Sequence, residues 1–343
     1  MLNRIKTFFR RLRSGSFKRM WRNAGVAAKE SGRSRISVLF DMIWCILFRG
    51  VGYLDYVVFG FADIGKEKRD TYMTMSHNQA LVHMLNDRDY YYVFDDKLVF
   101  NERFAKYLKR GFIDLRKTDA EGLSGFCSGK TSVFAKQPDS YGGLGVEKVT
   151  LTPDTDYAAL YGRLMDEKKY DIEETAVQDP ELDRLCPGCI CTLRVVTILH
   201  EGVPHVVYTL LRMGSGKSYV DNVTSGGMYT LVNMEDGTLA EYAFCDKTAS
   251  YYDRHPATGM LFKGFKVPQY REALDMCLEA ALVEPHMGYV GWDVGITVNG
   301  PAFMEGNNLP GYDMCQNKKF HPDHMGILPV CESILGEKID RNR

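Results

Sequence analysis

The alternation of apolar and polar residues changes period along this chain, and the change divides it. From Leu2 to Trp21 apolar residues recur at helical spacing among cations, first Leu2, Ile5, Phe8, Phe9 and Leu12, then Phe17, Met20 and Trp21. The stretch from Ile36 to Phe61 is strongly apolar but is interrupted by Asp41, Arg49 and Asp55 and by Gly50, Gly52 and Gly60. A spanning helix wants about twenty apolar residues with few charges, so a buried or interfacial helix is expected here and not a transmembrane one. Between Phe61 and Gly125 the spacing predicts mainly helices, clearest over 78–85 and 102–109, with a short strand over 90–94.

Beyond Gly125 the apolar runs become short and strand-like, at 133–135, 146–151, 171–174, 192–198, 205–211, 293–298 and 303–307. Asn299-Gly300 followed by Pro301 is a hairpin signal that folds the last two runs side by side. Side chains alternate faces along a strand, so Glu305 and Asn307 point the same way and Asp293 can sit beside them. Two carboxylates and an amide suit magnesium, a hard cation usually held by one or two carboxylates together with substrate phosphates.

Upstream, the run ending in Lys136 leads into a loop, Asp139 to Gly145, carrying Gly142, Gly143 and Gly145, and then into another strand. Glycines let backbone N–H groups approach anionic oxygens closely and a lysine adds a compact positive charge, so this is a phosphate cradle. It is not a Walker loop, because it lacks G-K-[ST] and enters a strand in place of a helix. Arg194 and Arg212 each sit in a short apolar run, and two guanidiniums aimed into one site clamp a transferring phosphate by planar, bidentate hydrogen bonds.

Net charge is near neutral, yet residues 1–35 hold eleven Lys/Arg against one acid, Glu30. A basic amphipathic segment with Phe and Trp suits an anionic membrane surface or, alternatively, docking on the acidic body or a partner protein. The charge also fits nucleic acid, but no recognition motif accompanies it and no nucleic acid is expected. Nine cysteines without a secretory signal argue for reduced thiols and a cytoplasmic chain, peripheral on the inner membrane face. Cys186, Cys189 and Cys191 lack a nearby fourth ligand for structural zinc, and His255 is expected on a loop, either near the acceptor substrate or as an ordinary loop histidine.

The strand ending in Lys136, the glycine loop, the paired Glu173 and Glu174, and finally Asp293 with Glu305-x-Asn307 and Pro310-Gly311 resemble, in order and spacing, the ATP-grasp superfamily from about Asp96 to Gly311. More narrowly, C-T-L-R-V-V-T, L-L-R-M-G, V-D-N-V-T-S-G-G, H-P-A-T-G and G-W-D resemble the sugar-transfer associated ATP-grasp proteins, linked to bacterial surface polysaccharide synthesis. The resemblance implies an α+β ATP-grasp fold, two α+β subdomains enclosing ATP, behind a helical, basic N-terminal region. The expected segments are 1–60, 61–125, a small subdomain at 126–190 and a large one at 191–343.

It further implies that Lys136 meets the nucleotide phosphates and that Ser140, Gly142, Gly143 and Gly145 close over them. Glu173, Glu174, Thr175 and Val177 would form the hinge beside adenine, with either Glu174 or Gln178 reaching the base or ribose. Asp96-Lys97, followed by Phe104 and Gly111, would supply a second ATP-facing lysine, and Asn222 would face the nucleotide beside Gly226-Gly227. Arg212, ahead of Arg194, would act on the transferring phosphate, and Asp293, Glu305 and Asn307 would hold Mg2+. Several amino-acid ligases of the superfamily carry an arginine two residues before the first metal aspartate; here that position is Gly291, so the role passes to Arg212 or Arg194 or the chemistry differs. The segment before the core has too few βα units for the Rossmann-like domain that commonly precedes it. The implied reaction is ATP- and Mg-dependent carboxylate–amine ligation through an acyl phosphate, on a sugar acid, amino sugar or amino acid. The alternatives are phosphoryl transfer to a hydroxyl and a non-catalytic, ATP-binding membrane adaptor.

Overall fold

The computed structural model describes residues 17–140, 142, 145–215 and 226–340. Gly143, Asn222 and the first apolar cluster, Leu2 to Leu12, lie outside the described residues. The chain divides into two units, one of residues 1–84 with 311–343 and one of 85–310.

The first unit is helical: α1 (Phe17–Ser31), α2 (Arg35–Trp44), α3 (Tyr53–Val58) and α4 (Met75–Leu85), with Leu328–Leu335 returning from the C-terminal stretch. Ser34 caps α2 by accepting from the Ser37 N–H, and a π-helical turn, Cys45–Arg49, extends it. Gln316 joins the unit's two stretches, bonding the Met73 N–H and C=O at 2.9 Å each. Asp41 is its polar centre. Its carboxylate accepts from Arg69 at 2.7 and 2.9 Å, Tyr56 at 2.7 Å and Arg33 at 3.1 Å. Burial opposes its ionisation, but these donors hold its pKa down at about 2.

The second unit carries two antiparallel sheets. The smaller has the order β1 (Phe112–Asp114), β4 (Asp171–Glu174), β2 (Ser132–Lys136), β3 (Val146–Thr150). Helices Ala120–Cys127 and Tyr157–Asp166 cover it, through Leu123, Cys127, Leu160 and Leu164 packed on Val133, Ala135 and Ile172. The larger has the order β11 (Gly300–Asn307), β10 (Tyr289–Thr297), β5 (Thr192–His200), β6 (Val203–Met213), β7 (Met228–Leu231), β8 (Ala243–Cys245), β9 (Ser250–Tyr252). Helix Tyr270–Ala281 lies against it, burying Tyr270, Ala273, Leu274, Cys277, Ala280 and Ala281, the stripe a period of 3.6 produces.

Two local expectations fail. Residues 90–94 are helical, in a 3-10 turn over Arg88–Tyr90 and a helix over Tyr92–Asp95, not a strand. Asp87 starts the turn by accepting from the Asp89 N–H, and Val93 and Phe94 are buried, so tertiary packing overrides the strand propensity of tyrosine and valine. The helix expected over 102–109 instead spans Lys97–Arg103, because Asp96 caps it with bonds to the Leu98 and Val99 N–H groups. No described strand precedes Phe112, in keeping with the missing βα units.

Phe94, Phe100, Phe104, Trp292 and Phe303 form an aromatic core beneath the hairpin of β10 and β11, with Trp292 stacked on Phe303 at 4.9 Å. Gly306 fits against it only without a Cβ, which would lie 2.5 Å from the Phe100 ring. Gly306→Ala should therefore cost ~1–3 kcal/mol in urea unfolding. For Asp41 the folded pKa lies below the ordinary 3.8, so its contribution is complete above that value and disappears as pH falls towards about 2. Thermal unfolding of Asp41→Asn should show a weaker dependence on pH across that interval than the wild type.

Candidate active site

Strand register builds the site. Asp293 on β10 pairs with Arg194 on β5 and, on its other side, with Glu305 on β11. The β10–β11 pairing shifts register between Asp293 and Val294, so Met304 is an extra residue. Without that bulge Phe303 and Glu305, two apart, would share a face; with it, Phe303 enters the aromatic core while Glu305 stands beside Asp293.

Asp293 is buried and held by two cations. Arg194 is bidentate, with Nε at 2.5 Å and Nη2 at 3.0 Å, and Arg212 Nη1 from β6 lies at 3.0 Å. Burial opposes the charge, but the guanidiniums keep its carboxyl well below the usual range. Glu305 feels the opposite balance: burial and the Asp293 carboxylate, with which it shares a hydrogen bond, push it up to about 7. Asn307 Nδ2 donates to the Gly291 carbonyl at 3.3 Å.

Arg194, Arg212, Glu305 and Asn307 line a cavity of about 270 Å3, together with Lys97, Ser140, Gly142, Phe94 and Phe100, while Asp293 lies behind them. Lys97, at the start of its helix, donates to the Ser140 carbonyl and so ties the glycine loop to the cavity wall. Burial draws its pKa below the ordinary value, against the pull of Glu305. Gly142 and Gly145 take positive φ, 67° and 71°, the conformation glycine permits. Arg212 Nε is buried and, among the described residues, has no hydrogen-bond partner. A buried N–H of a permanent cation on a residue that lines the cavity suits an anionic ligand.

Other expected residues stand apart from the cavity wall. Lys136 pairs with Glu173 at 2.7 Å, and Glu173 also takes Arg110 Nε at 2.6 Å and the Asn101 amide at 3.0 Å. Glu173 is thus an interior counter-ion, its pKa lowered by Arg110 and Lys136 against burial. Glu174 points the other way, to the Gly111 N–H and Lys130, and Thr175 bonds Ser132. Val177 is exposed, with its carbonyl bonded to the Val298 N–H, and Gln178 is buried against Cys186 and Cys191. His255 is on a loop, as expected, and is buried there: one ring nitrogen bonds the Gly214 carbonyl at 2.9 Å and the other the Ala257 N–H. Cys186, Cys189 and Cys191 are buried thiols outside any disulfide, and no group of three His, Cys, Asp or Glu among the described residues is arranged to hold a metal. Sequence reading missed Asn101 and Arg110; the only signal was Arg110 standing next to Gly111.

Gly291 has ordinary φ, so its backbone does not demand glycine. A Cβ there would touch Arg194 Cδ at 3.4 Å and Nη1 at 3.5 Å: the Arg194 side chain crosses the space that a long side chain at 291 would fill.

Residues 154–320, just under half of the chain, match the family described as sugar-transfer associated ATP-grasp. Two antiparallel sheets in an α+β unit, with the lysine, glycine loop and carboxylate hairpin in order, are the ATP-grasp arrangement expected from the motifs. Over the matched stretch the chain is similar to that family. The sequence matches no curated protein. Among solved structures it is similar to the N5-carboxyaminoimidazole ribonucleotide synthetase of Thermotoga maritima (11% identity, 63% of this chain and 42% of that one, TM-score 0.36). It is also similar to D-alanyl-alanine synthetase A of Vibrio cholerae (14%, 71% and 65%, TM-score 0.38) and to the VanG D-Ala:D-Ser ligase of Enterococcus faecalis (14%, 64% and 53%, TM-score 0.38). The chain spans about half the length of the synthetases it matches. At such scores these likenesses bear on neither substrate nor reaction.

Removing one partner of a buried ion pair leaves the other uncompensated. Arg194→Ala should lower stability by roughly 3 kcal/mol in denaturant unfolding. Gly291→Leu, whose branches run into the guanidinium, should lose stability in the same assay, while Gly291→Ala, at ordinary contact distance, should not.

Proposed function

We propose that this chain is an ATP- and magnesium-dependent carboxylate–amine ligase acting on a small acid, a sugar acid or amino acid, and that it serves surface polysaccharide synthesis at the inner face of a membrane. The observation that supports the reaction most is the cavity lining, which brings Lys97, Arg194 and Arg212 together with the hard-oxygen side chains of Glu305 and Asn307. Cations beside hard-oxygen donors suit a nucleotide's phosphates and their metal. The polysaccharide role rests on the family description alone.

The donor set fits magnesium through Glu305 and Asn307, while both Asp293 oxygens already accept from guanidiniums, so Asp293 would join only by giving up one of them. When bound, the ion would neutralise charge on the phosphoryl oxygens and draw Glu305 to its anionic form. In the proposed reaction the substrate carboxylate attacks the γ-phosphorus of ATP, the bond to the β-phosphate oxygen breaks, and ADP leaves with that electron pair. The amine then displaces phosphate from the acyl carbon and loses a proton. Lys97 and the glycine loop position the phosphates, and Arg212, fixed by Asp293, meets the charge spreading over the transferring group. Arg194, crossing above Gly291, stands as the cation for the acyl phosphate, the role an arginine at 291 would otherwise fill. Lys136 reaches the phosphates only by exchanging Glu173 for them.

The test is hydroxylamine trapping with a pool of small acids, amines and ATP, reading ADP release and product mass together. A ligase gives a hydroxamate and Glu305→Ala abolishes it, with at least ~100-fold less ADP release. A stable phosphorylated hydroxyl product instead identifies a kinase, and nucleotide binding without turnover identifies an adaptor.

A further inference from the structure

Among the described residues, the helix that follows the basic segment leaves its apolar face uncovered. Along α2 and its π-helical extension, Val38, Met42, Cys45 and Arg49 are buried, whereas Ile36, Phe40, Trp44 and Phe48 are 62%, 68%, 47% and 43% exposed. The four are spaced by four residues and so share one face, and the Trp44 and Phe48 rings lie 5.7 Å apart. That row contains no charged residue. A contiguous row of large apolar side chains in water is a contact surface awaiting an occupant.

Its surroundings say which. On α1, Met20, Ala24, Ala27 and Ala28 are buried, so Met20 belongs to the interior and not to the face expected from the sequence. Lys18, Arg19, Trp21 and Arg22 remain exposed. The Arg35 guanidinium lies 4.1 Å over the Trp21 ring, which brings this cationic turn to the start of the uncovered row. The nearby acid Asp41 is already bound to Arg33 and Arg69, and Glu30 pairs with Lys318. Aromatic side chains at the headgroup boundary, with cations beside them, match an anionic bilayer surface. No described helix is long and apolar enough to cross a membrane, so the element lies along the surface. A second copy packed face to face would set the same cations against each other.

We propose that the face formed by Ile36, Phe40, Trp44 and Phe48 docks on an anionic lipid bilayer, with the cations of α1 on its headgroups. This refines the membrane location proposed above and does not depend on the reaction. The full chain is floated with vesicles of phosphatidylcholine alone and of phosphatidylcholine mixed with phosphatidylglycerol. The wild type should float with the mixed vesicles and not with the neutral ones, and its tryptophan emission should shift to the blue. The double variant Phe40→Ser with Trp44→Ser should bind at least ~10-fold more weakly with an unchanged circular dichroism spectrum. Lys18→Glu with Arg22→Glu should also weaken binding, whereas Glu305→Ala should bind as the wild type, which separates docking from catalysis. Three results overturn the proposal: a wild type that stays with neither vesicle, a double variant that binds as tightly as the wild type, or a wild-type dimer in sedimentation that the double variant converts to monomer.

Discussion

Everything at this site rests on one carboxylate shared by two guanidiniums. Asp293 is buried on the strand next to the sheet's edge, where an unpaired charge would be intolerable, and Arg194 and Arg212 from the two strands beyond it meet its oxygens at 2.5 to 3.0 Å. The set fixes both arginines without occupying all their donors. Asp293 in turn raises the neighbouring Glu305, and the bulge at Met304 puts that second carboxylate at the cavity instead of in the core. A polar cluster this deep is stable only when nearly every member is satisfied, and the Arg212 Nε, without a partner among the described residues, is its unfilled place.

The small sheet repeats the device. Glu173 is buried between Lys136 and Arg110, with Asn101 on the same carboxylate, while Asp171 beside it is pushed well above the ordinary range by burial and by Glu173. One anion thus holds a lysine close to the glycine loop but away from the cavity. Phosphate oxygens offer Lys136 the same chemistry as Glu173, so nucleotide binding in the proposed scheme is an exchange of partners and not the capture of a free ammonium.

Much of this was legible in the sequence because strand alternation and a hairpin turn are local. The spacing of Glu305 and Asn307 with Asn299-Gly300 was enough to pair the two strands, though only the bulge at Met304 sets Glu305 opposite Asp293, and Lys136 before a glycine loop marked the second strand pair. What was not legible depends on partners far away along the chain. Nothing near Glu173 says that Arg110 and Lys136 will converge on it, nothing near Gly291 says that Arg194 will cross above it, and only packing turns the tyrosine run at 90–92 from strand to helix. The same holds for the basic N-terminal segment, where periodicity put Met20 with Trp21 and the structure divides them.

The central claim, that this cavity receives the phosphates and metal of a nucleotide, is tested most directly by the crystal structure of the complex with magnesium and a non-hydrolysable ATP analogue. The account predicts phosphate oxygens on Lys97 and on Arg212 Nε, a metal ligated by Glu305 and Asn307, and Lys136 turned from Glu173 to a phosphate. A nucleotide bound elsewhere, or a metal seated away from Glu305 with the Asp293 and Glu173 clusters undisturbed, would contradict it.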